Sequence, residues 1–459
     1  MSETRIETDS MGDLDVAVDA LYGAQTQRAI NNFPLSGQPM PERFIRALLR
    51  AKSVAATANV ALELLPGKTG QAIVEAVEAL LADDDLMTHF PVDVFQTGSG
   101  TSSNMNANEV IAQLATRKLG AKVGPNDDVN FGQSSNDIIP TSIHIAAAVA
   151  LESELLPALS HLVRVTREKA ESVQHYVKTG RTHLMDAMPV RMSQSLDAWA
   201  DQVEHCAARL KALQNEIQTL AQGGTAVGTG INAHPEFGVV FTRILSEATG
   251  LEFRSAGNFF THIGTQDTAV SLSGSLKTTA VALLKISNDL RWMNSGPLAG
   301  LGEIELEALQ PGSSIMPGKV NPVIPEAAAM ASAQVIGNDA AITIAGQSGN
   351  FELNVMLPLV ARNLLESVTL LASSSKLLAD RAIATFTVRE KNLQIALARN
   401  PILVTALNPL IGYARAAEIA KTAYATQRPI IDVAAEATDL GREELERLLD
   451  PEKLTQGGL

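Results

Sequence analysis

Apolar residues recur every three or four positions along three long stretches of this chain. Met192, Leu196, Trp199, Val203, Ala207, Leu210, Leu213, Ile217 and Leu220 form the first. Leu272, Leu276, Ala280, Leu283, Ile286, Leu290 and Met293 form the second, and Val360, Leu364, Val368, Leu371 and Leu378 the third. Such spacing lines one face of an α-helix, and at 1.5 Å per residue the first stretch predicts a rod about 45 Å long. Further helices are expected from about Ile143 to Val177, where Pro157 should kink or divide the run, and from Ala327 to about Ile344 after Pro325. Sustained apolar–polar alternation bounded by turn formers is not found, so strands are expected to be nearly absent. The pattern predicts an all-α fold with a bundle of long helices at its centre. Such helices, apolar or small-sided on more than one face, are hard to bury within one chain, which points to an oligomer built by bundle packing.

Polar stretches bearing Gly and Pro fall between these helices, at about 97–108, 124–141, 179–191, 222–238 and 295–325. Near residue 390 the pattern shifts. Pro401, Pro409 and Pro429 break up short amphipathic pieces and suggest a small C-terminal domain.

Composition narrows the class. Hydrophobic residues at 46% and charged ones at 19% exclude wholesale disorder, and aromatics at 4% leave the core to Leu, Ile, Val, Ala and Met. A formal net charge of −14 argues against a nucleic-acid-binding face, though not against a small anionic ligand. Cys206 is the only cysteine, so neither an intramolecular disulfide nor a Cys-rich zinc site can form. Residues Met1 to Ser10 lack the apolar core of a secretory signal, and no run approaches the roughly 18 apolar residues of a membrane span. A cytoplasmic protein without a membrane partner is expected. The eight histidines show no metal-ligand spacing. Gly67-Lys-Thr69 lacks the upstream glycine of a phosphate loop, and no strand precedes the Gly228-Thr-Gly230 stretch, so neither reads as a nucleotide site.

Four polar loops remain. Gln96-Thr-Gly-Ser-Gly-Thr-Ser-Ser-Asn-Met-Asn106 offers close backbone approach and hydroxyl and amide donors suited to a carboxylate, or simply caps the next helix. Gln133-Ser-Ser-Asn-Asp137 is equally an anion cradle at a helix N-terminus or a set of N-cap residues. Thr179 to Pro189 holds His183, an acid or base if a carboxylate orients it, otherwise a solvated or structural histidine. Pro311 to Glu326, with four prolines among its first fifteen residues, forbids regular structure and carries two serines, a lysine, an asparagine and a closing glutamate. That set can hold a dicarboxylate, supply a base and orient a second group; an ion pair among turn residues is the plainer reading.

Gly312-Ser-Ser-Ile-Met-Pro-Gly-Lys-Val-Asn321 resembles the signature loop of the class II fumarases, within the superfamily that also contains aspartase, argininosuccinate lyase and adenylosuccinate lyase. The resemblance runs from Asp9-Ser-Met-Gly12 and Gly23-Ala-Gln-Thr-Gln-Arg28 to Thr405-Ala-Leu-Asn-Pro409 and so covers essentially the whole chain. It implies three helical domains, here 1–138, 139–390 and 391–459, and a homotetramer with a twenty-helix core. It also implies active sites shared by three subunits, and reversible hydration of fumarate to (S)-malate with neither metal nor organic cofactor.

The same resemblance assigns residues. Ser99, Gly100, Thr101, Ser134, Ser135, Asn136, Thr182, Ser314, Lys319, Val320 and Asn321 would bind substrate. Ser313 would be the base on a mobile loop, and His183, paired with Glu326, would manage the water on the opposite side. Two departures stand out. Gly124-Pro125-Asn126-Asp127 replaces the family's usual His-Pro-Asn-Asp, with Ala121 where an Arg is expected, at the accessory anion site. Leu410 follows Asn408-Pro409 where His is common. Aspartase is the nearest enzymatic alternative. His183, Gly318 and Gly230-Ile-Asn-Ala-His-Pro-Glu236 favour fumarase, whereas Val323-Ile-Pro-Glu326 is also aspartase-like. A non-catalytic relative of the lens-crystallin kind is the alternative from another class; the intact Ser313, Lys319, Asn321, His183 and Glu326 set weighs against it.

Overall fold

The computed structural model describes residues 3–457; Met1 and Ser2, part of the stretch read for a secretory signal, lie outside it, as do Gly458 and Leu459. The long apolar stripes are helical and buried. Leu272, Leu276, Ala280, Leu283, Ile286 and Leu290 are each at most 1% exposed along the helix Asp267–Met293. A leucine so placed contributes about 1.5–3 kcal/mol through burial. The third stripe lies on Leu357–Leu378 and the alanine-rich helix spans Val323–Gln347, with Pro325 in its first turn, where a missing N–H is harmless.

Several expectations need correction. The first stripe is not one rod. The helix Met192–Ala212 ends before Leu213, a short turn Gln214–Ile217 follows, and Thr219–Leu220 pairs in parallel with Arg254–Ser255. Ile217 and Leu220 stay buried after the break, so the spacing persisted where the helix did not. Pro157 acts nearly as foreseen: Ser135–Ala150 runs into a π turn, Leu151–Leu155, and then the helix Leu156–Ser172. That whole run, Ser135–Ser172, is long and apolar enough to cross a membrane, contrary to the expectation. Since 67% of its apolar window is buried inside the protein, it is a core helix here.

Strands are few but not negligible, and among the described residues every sheet has two strands. Thr4–Asp9 pairs with Gly12–Ala17, and Val177–Thr182 with Met185–Arg191. In the first strand of that hairpin the alternation was invisible because its covered side is polar, while the second covers Leu14 and Val16 between exposed Asp13 and Asp15. Ile6 points outward, 71% exposed, while Arg5 donates to the carbonyls of Ala17, Ala20 and Tyr22. The 179–191 stretch, read as a loop between helices, is mostly the second hairpin. The 97–108 stretch is mostly helix, because Thr101–Leu119 begins inside it.

Contacts divide the chain into two compact units, Met1–Pro157 with Ala208–Ala280 and Ser332–Ala372, and Ala158–Ala207 with Val281–Ala331 and Ser373–Leu459. This partition follows packing and differs from the chain-order division at 138 and 390. Within the second unit, short helices beyond residue 400 close on their own core of Leu403, Leu407, Ile419, Val433 and Leu445.

Candidate active site

In the first unit the two loops read as substrate-binding stand at helix N-termini. Gly100 takes a left-handed conformation, φ +73°, and caps the helix Thr101–Leu119. Ser99 and Thr101 share a hydrogen bond of 2.8 Å between their hydroxyls. Gly98 must be glycine, since a Cβ there would lie 1.7 Å from the Val355 carbonyl oxygen. Ser134 is the N-cap of the helix Ser135–Ala150. Its Oγ accepts from the Asn136 N–H at 3.2 Å, while its own N–H donates to Asp137 Oδ1 at 2.9 Å, a capping box. Both the capping and the cradle readings of this loop are compatible with that geometry. The Asn136 amide donates to the Ala226 carbonyl at 2.7 Å.

Asp137 is the organiser that residue types alone did not reveal. Its second oxygen accepts from Gln222 Nε2 at 3.1 Å and from the Gly223 and Thr225 N–H groups at 3.2 and 2.9 Å, tying down the loop after residue 221. Burial pushes its carboxyl up to about 6, against the pull of those N–H donors and Lys52. Lys52, on the helix Glu42–Ala61, is fully buried and held down to about 7 by desolvation. The Ser134-x-x-Asp137 spacing and a lone lysine within Ala51-Lys-Ser-Val-Ala-Ala56 were the available signals.

In the second unit the tip of the hairpin carries Thr182 and His183. Strands ending at Thr182 and resuming at Met185 leave a two-residue turn, His183 at φ +55° and Leu184 at φ +61°. Two successive left-handed residues make a type I′ turn, normally Asn-Gly, so a histidine and a leucine there are strained. The hairpin's base is clamped: Lys178 Nζ donates to Glu303 at 2.6 Å and Arg181 pairs with the other Glu303 oxygen. Burial lowers the Lys178 pKa even beside that carboxylate. Farther along, the Ala187 carbonyl accepts from Asn400 Nδ2 at 2.8 Å, and Arg191 pairs with Glu452 at 2.9 Å.

The 312–321 loop is closed at its neck. The Gly312 N–H donates to the Lys319 carbonyl at 2.8 Å, and Asn321 Nδ2 donates to the Gly312 carbonyl at 2.7 Å. A Cβ on Gly312 would sit 2.7 Å from that Lys319 oxygen. Ser313 Oγ accepts from the N–H groups of Ile315 and Met316 at 3.2 and 3.0 Å. Beyond the neck the tip is open, with Ile315 84% exposed. Glu326 lies in the first turn of Val323–Gln347, where the helix dipole favours an anion.

Lys319, Val320, Asn321 and Glu326 line one open cavity of about 860 Å³, with Arg291 and Arg389 on its wall. His183 lines another, of about 720 Å³. Among the described residues no hydrogen bond joins His183 to Glu326. Gly124 to Asp127 begins a π turn in which the Gly124 N–H donates to Asp128 Oδ2 at 2.6 Å, with Asn126 and Asp127 exposed. The residues that the resemblance assigns thus fall in both units: Ser99, Thr101 and Ser134–Asn136 in one, and Thr182, His183, Ser313, Ser314, Lys319, Asn321 and Glu326 in the other, where His183 and Lys319 line different cavities.

Known proteins share this sequence and fold. A family profile described as lyase matches residues 12–337, and one described as the fumarase C C-terminus matches 403–456. The class II fumarate hydratase 2 of Pseudomonas aeruginosa is 68% identical over 459 residues, all of both chains. That of Mycobacterium tuberculosis is 50% identical, over 97% of this chain and 95% of its own. Among solved structures, a recombinant class II fumarase from Schistosoma mansoni matches with a TM-score of 0.96 at 35% identity, over 99% of both chains. A Brucella melitensis protein called fumarate lyase:delta crystallin matches with 0.93 at 42%, over 99% of this chain and 100% of its own. On its sequence, its helical fold and its loop geometry, this chain belongs to the class II fumarase family.

Proposed function

We propose that this chain is a fumarate hydratase, adding water reversibly to fumarate to give (S)-malate by acid–base catalysis, a step of the tricarboxylic acid cycle. The carrying observation is Ser313. Two backbone N–H groups already point at its Oγ, and donors so placed favour an oxyanion over a neutral hydroxyl. A serine alkoxide on a loop that closes over substrate and expels water is a competent base for the proton beside a carboxylate. Removing that proton places charge on an existing anion, so the doubly charged aci-carboxylate must be held. Lys319 supplies positive charge, and Thr101, Ser134, Ser135, Asn136, Thr182 and Asn321 supply oriented donors. His183 then protonates the departing hydroxyl, or in reverse takes a proton from the attacking water.

The acting unit in this reading is a homotetramer whose sites each draw on three subunits, and Glu326 orients His183 in the assembly. Two observations support it: the assigned groups divide between two units, with His183 and Lys319 lining different cavities, and the helix Val323–Gln347 exposes Met330 (69%) and Ile344 (55%). The reading keeps the three domains at 1–138, 139–390 and 391–459, and the compact core beyond Leu403 supports the last.

Ultraviolet absorbance of protein mixed with (S)-malate, and separately with L-aspartate, tests the activity, since only the fumarate product absorbs. Signal from malate alone is expected. Signal from aspartate alone would make the chain an ammonia-lyase, and silence from both in a folded protein would leave a structural role. Ser313→Ala should lower kcat by at least about 100-fold with the fold unchanged, the range for losing a general base. Near-normal turnover would reject the assignment.

A further inference from the structure

Lys52 is buried to 0% exposure, and no carboxylate lies within ion-pairing distance of it among the described residues. Its Nζ instead donates to Asn130 Oδ1 and Gln133 Oε1, each at 2.9 Å. Asn130 Oδ1 is a point of convergence. It also accepts from Asn104 Nδ2 and Asn108 Nδ2, both at 3.2 Å, and those asparagines belong to the helix that Ser99–Thr101 begins. Asn104 Nδ2 reaches, in addition, Ser135 Oγ at 3.1 Å. Gln133 immediately precedes Ser134, and its amide donates to the carbonyls of Val129 and Phe131 at 3.0 and 3.3 Å.

Three donors on one carbonyl oxygen come at a cost elsewhere. The Oδ1 atoms of Asn104 and Asn108 are buried with no partner. Rotating either amide would place oxygen against Asn130 Oδ1, so each side chain is held in the orientation that leaves its own acceptor unpaired. Buried cations and orphaned acceptors both oppose folding. Packing alone does not account for gathering them in one place, which adjoins the two loops that the proposed function assigns to substrate carboxylates.

We infer that Lys52 is a positioning residue that fixes the Ser99–Thr101 loop and the Ser134–Asn136 loop against each other through Asn130, Asn104 and Gln133, setting the geometry in which a dicarboxylate is gripped. The inference rests on the dicarboxylate reading for its catalytic consequence, but the mechanical link stands apart from it.

Lys52→Met keeps the buried stem and removes the donors. Hydrogen–deuterium exchange of the 130–137 segment should quicken at least 10-fold in this variant. The KM for fumarate should rise at least 10-fold, while kcat falls by less. Leu49→Ala, a buried change on the same helix outside the network, should lower stability yet leave KM and the 130–137 exchange at their original values. Unchanged exchange in Lys52→Met, or the same KM shift in Leu49→Ala, overturns the inference while the original enzyme still turns over. An original protein that acts on neither malate nor fumarate sinks the functional reading instead, and the exchange measurement still decides the link. If Lys52→Met does not fold, Asn130→Ala carries the same expectations.

Discussion

At the scale of single residues, function and conformational comfort pull apart most clearly at His183. Its φ of +55° belongs to a turn that asparagine or glycine would adopt with less strain. His183→Asn should therefore remove the imidazole and lower kcat about 100-fold, while raising stability by up to about 1 kcal/mol. Thermal unfolding beside a turnover assay reads both, and a less stable variant would contradict the strain argument. Lys52 offers a second measurement. Its folded-state pKa, about 7, lies below its ordinary value of 10.5, so between those limits the unfolded chain holds a proton that the folded chain lacks. Stability linked to this group is accordingly low below pH 7 and grows as pH rises towards 10. Relative to Lys52→Met, the original protein should gain up to about 1.4 kcal/mol per pH unit in that window. Parallel pH profiles would show that Lys52 keeps an ordinary pKa.

At the scale of elements, hydrophobic spacing made the long helices legible because most bury one apolar stripe, but it did not mark where a helix ends, since Ile217 and Leu220 keep the spacing beyond Ala212. Polar-lined elements were not legible this way. The Thr4–Asp9 strand turns Arg5 and Glu7 towards the chain, and Val177–Thr182 sets Lys178 and Arg181 on Glu303, so neither alternates apolar with polar. The site divides along the same line. Ser313, Lys319 and His183 were singled out by their motifs, whereas Asp137 and Glu303 act through hydrogen bonds and charges that only the folded chain brings together. Glu303→Gln tests the second hairpin. Removing one partner leaves Lys178 buried beside a neutral amide, which should cost about 3 kcal/mol of stability. Calorimetry showing a loss below about 1 kcal/mol would mean that Lys178 reaches water or another anion.

At the scale of the whole molecule, the Val323–Gln347 helix carries only Glu326 and Asp339 as charges along its 25 residues, and it leaves Met330 and Ile344 uncovered. A helix apolar all round is stable in water only when partners cover it. If the proposed tetramer is the acting unit, Met330→Arg should reduce the mass in light scattering from about four times the 48.6 kDa of one chain to a smaller species, with activity falling in step. An unchanged mass would place the subunit contacts elsewhere. The division of Thr101 and Ser134–Asn136 from His183, Ser313 and Lys319 between the two units carries a genetic consequence for the proposed assembly. Where sites are shared between subunits, a chain defective at Thr101 and a chain defective at Ser313 are each dead alone. Co-assembled, they form some sites that draw every group from the intact copy, so two null alleles would complement one another inside a single protein.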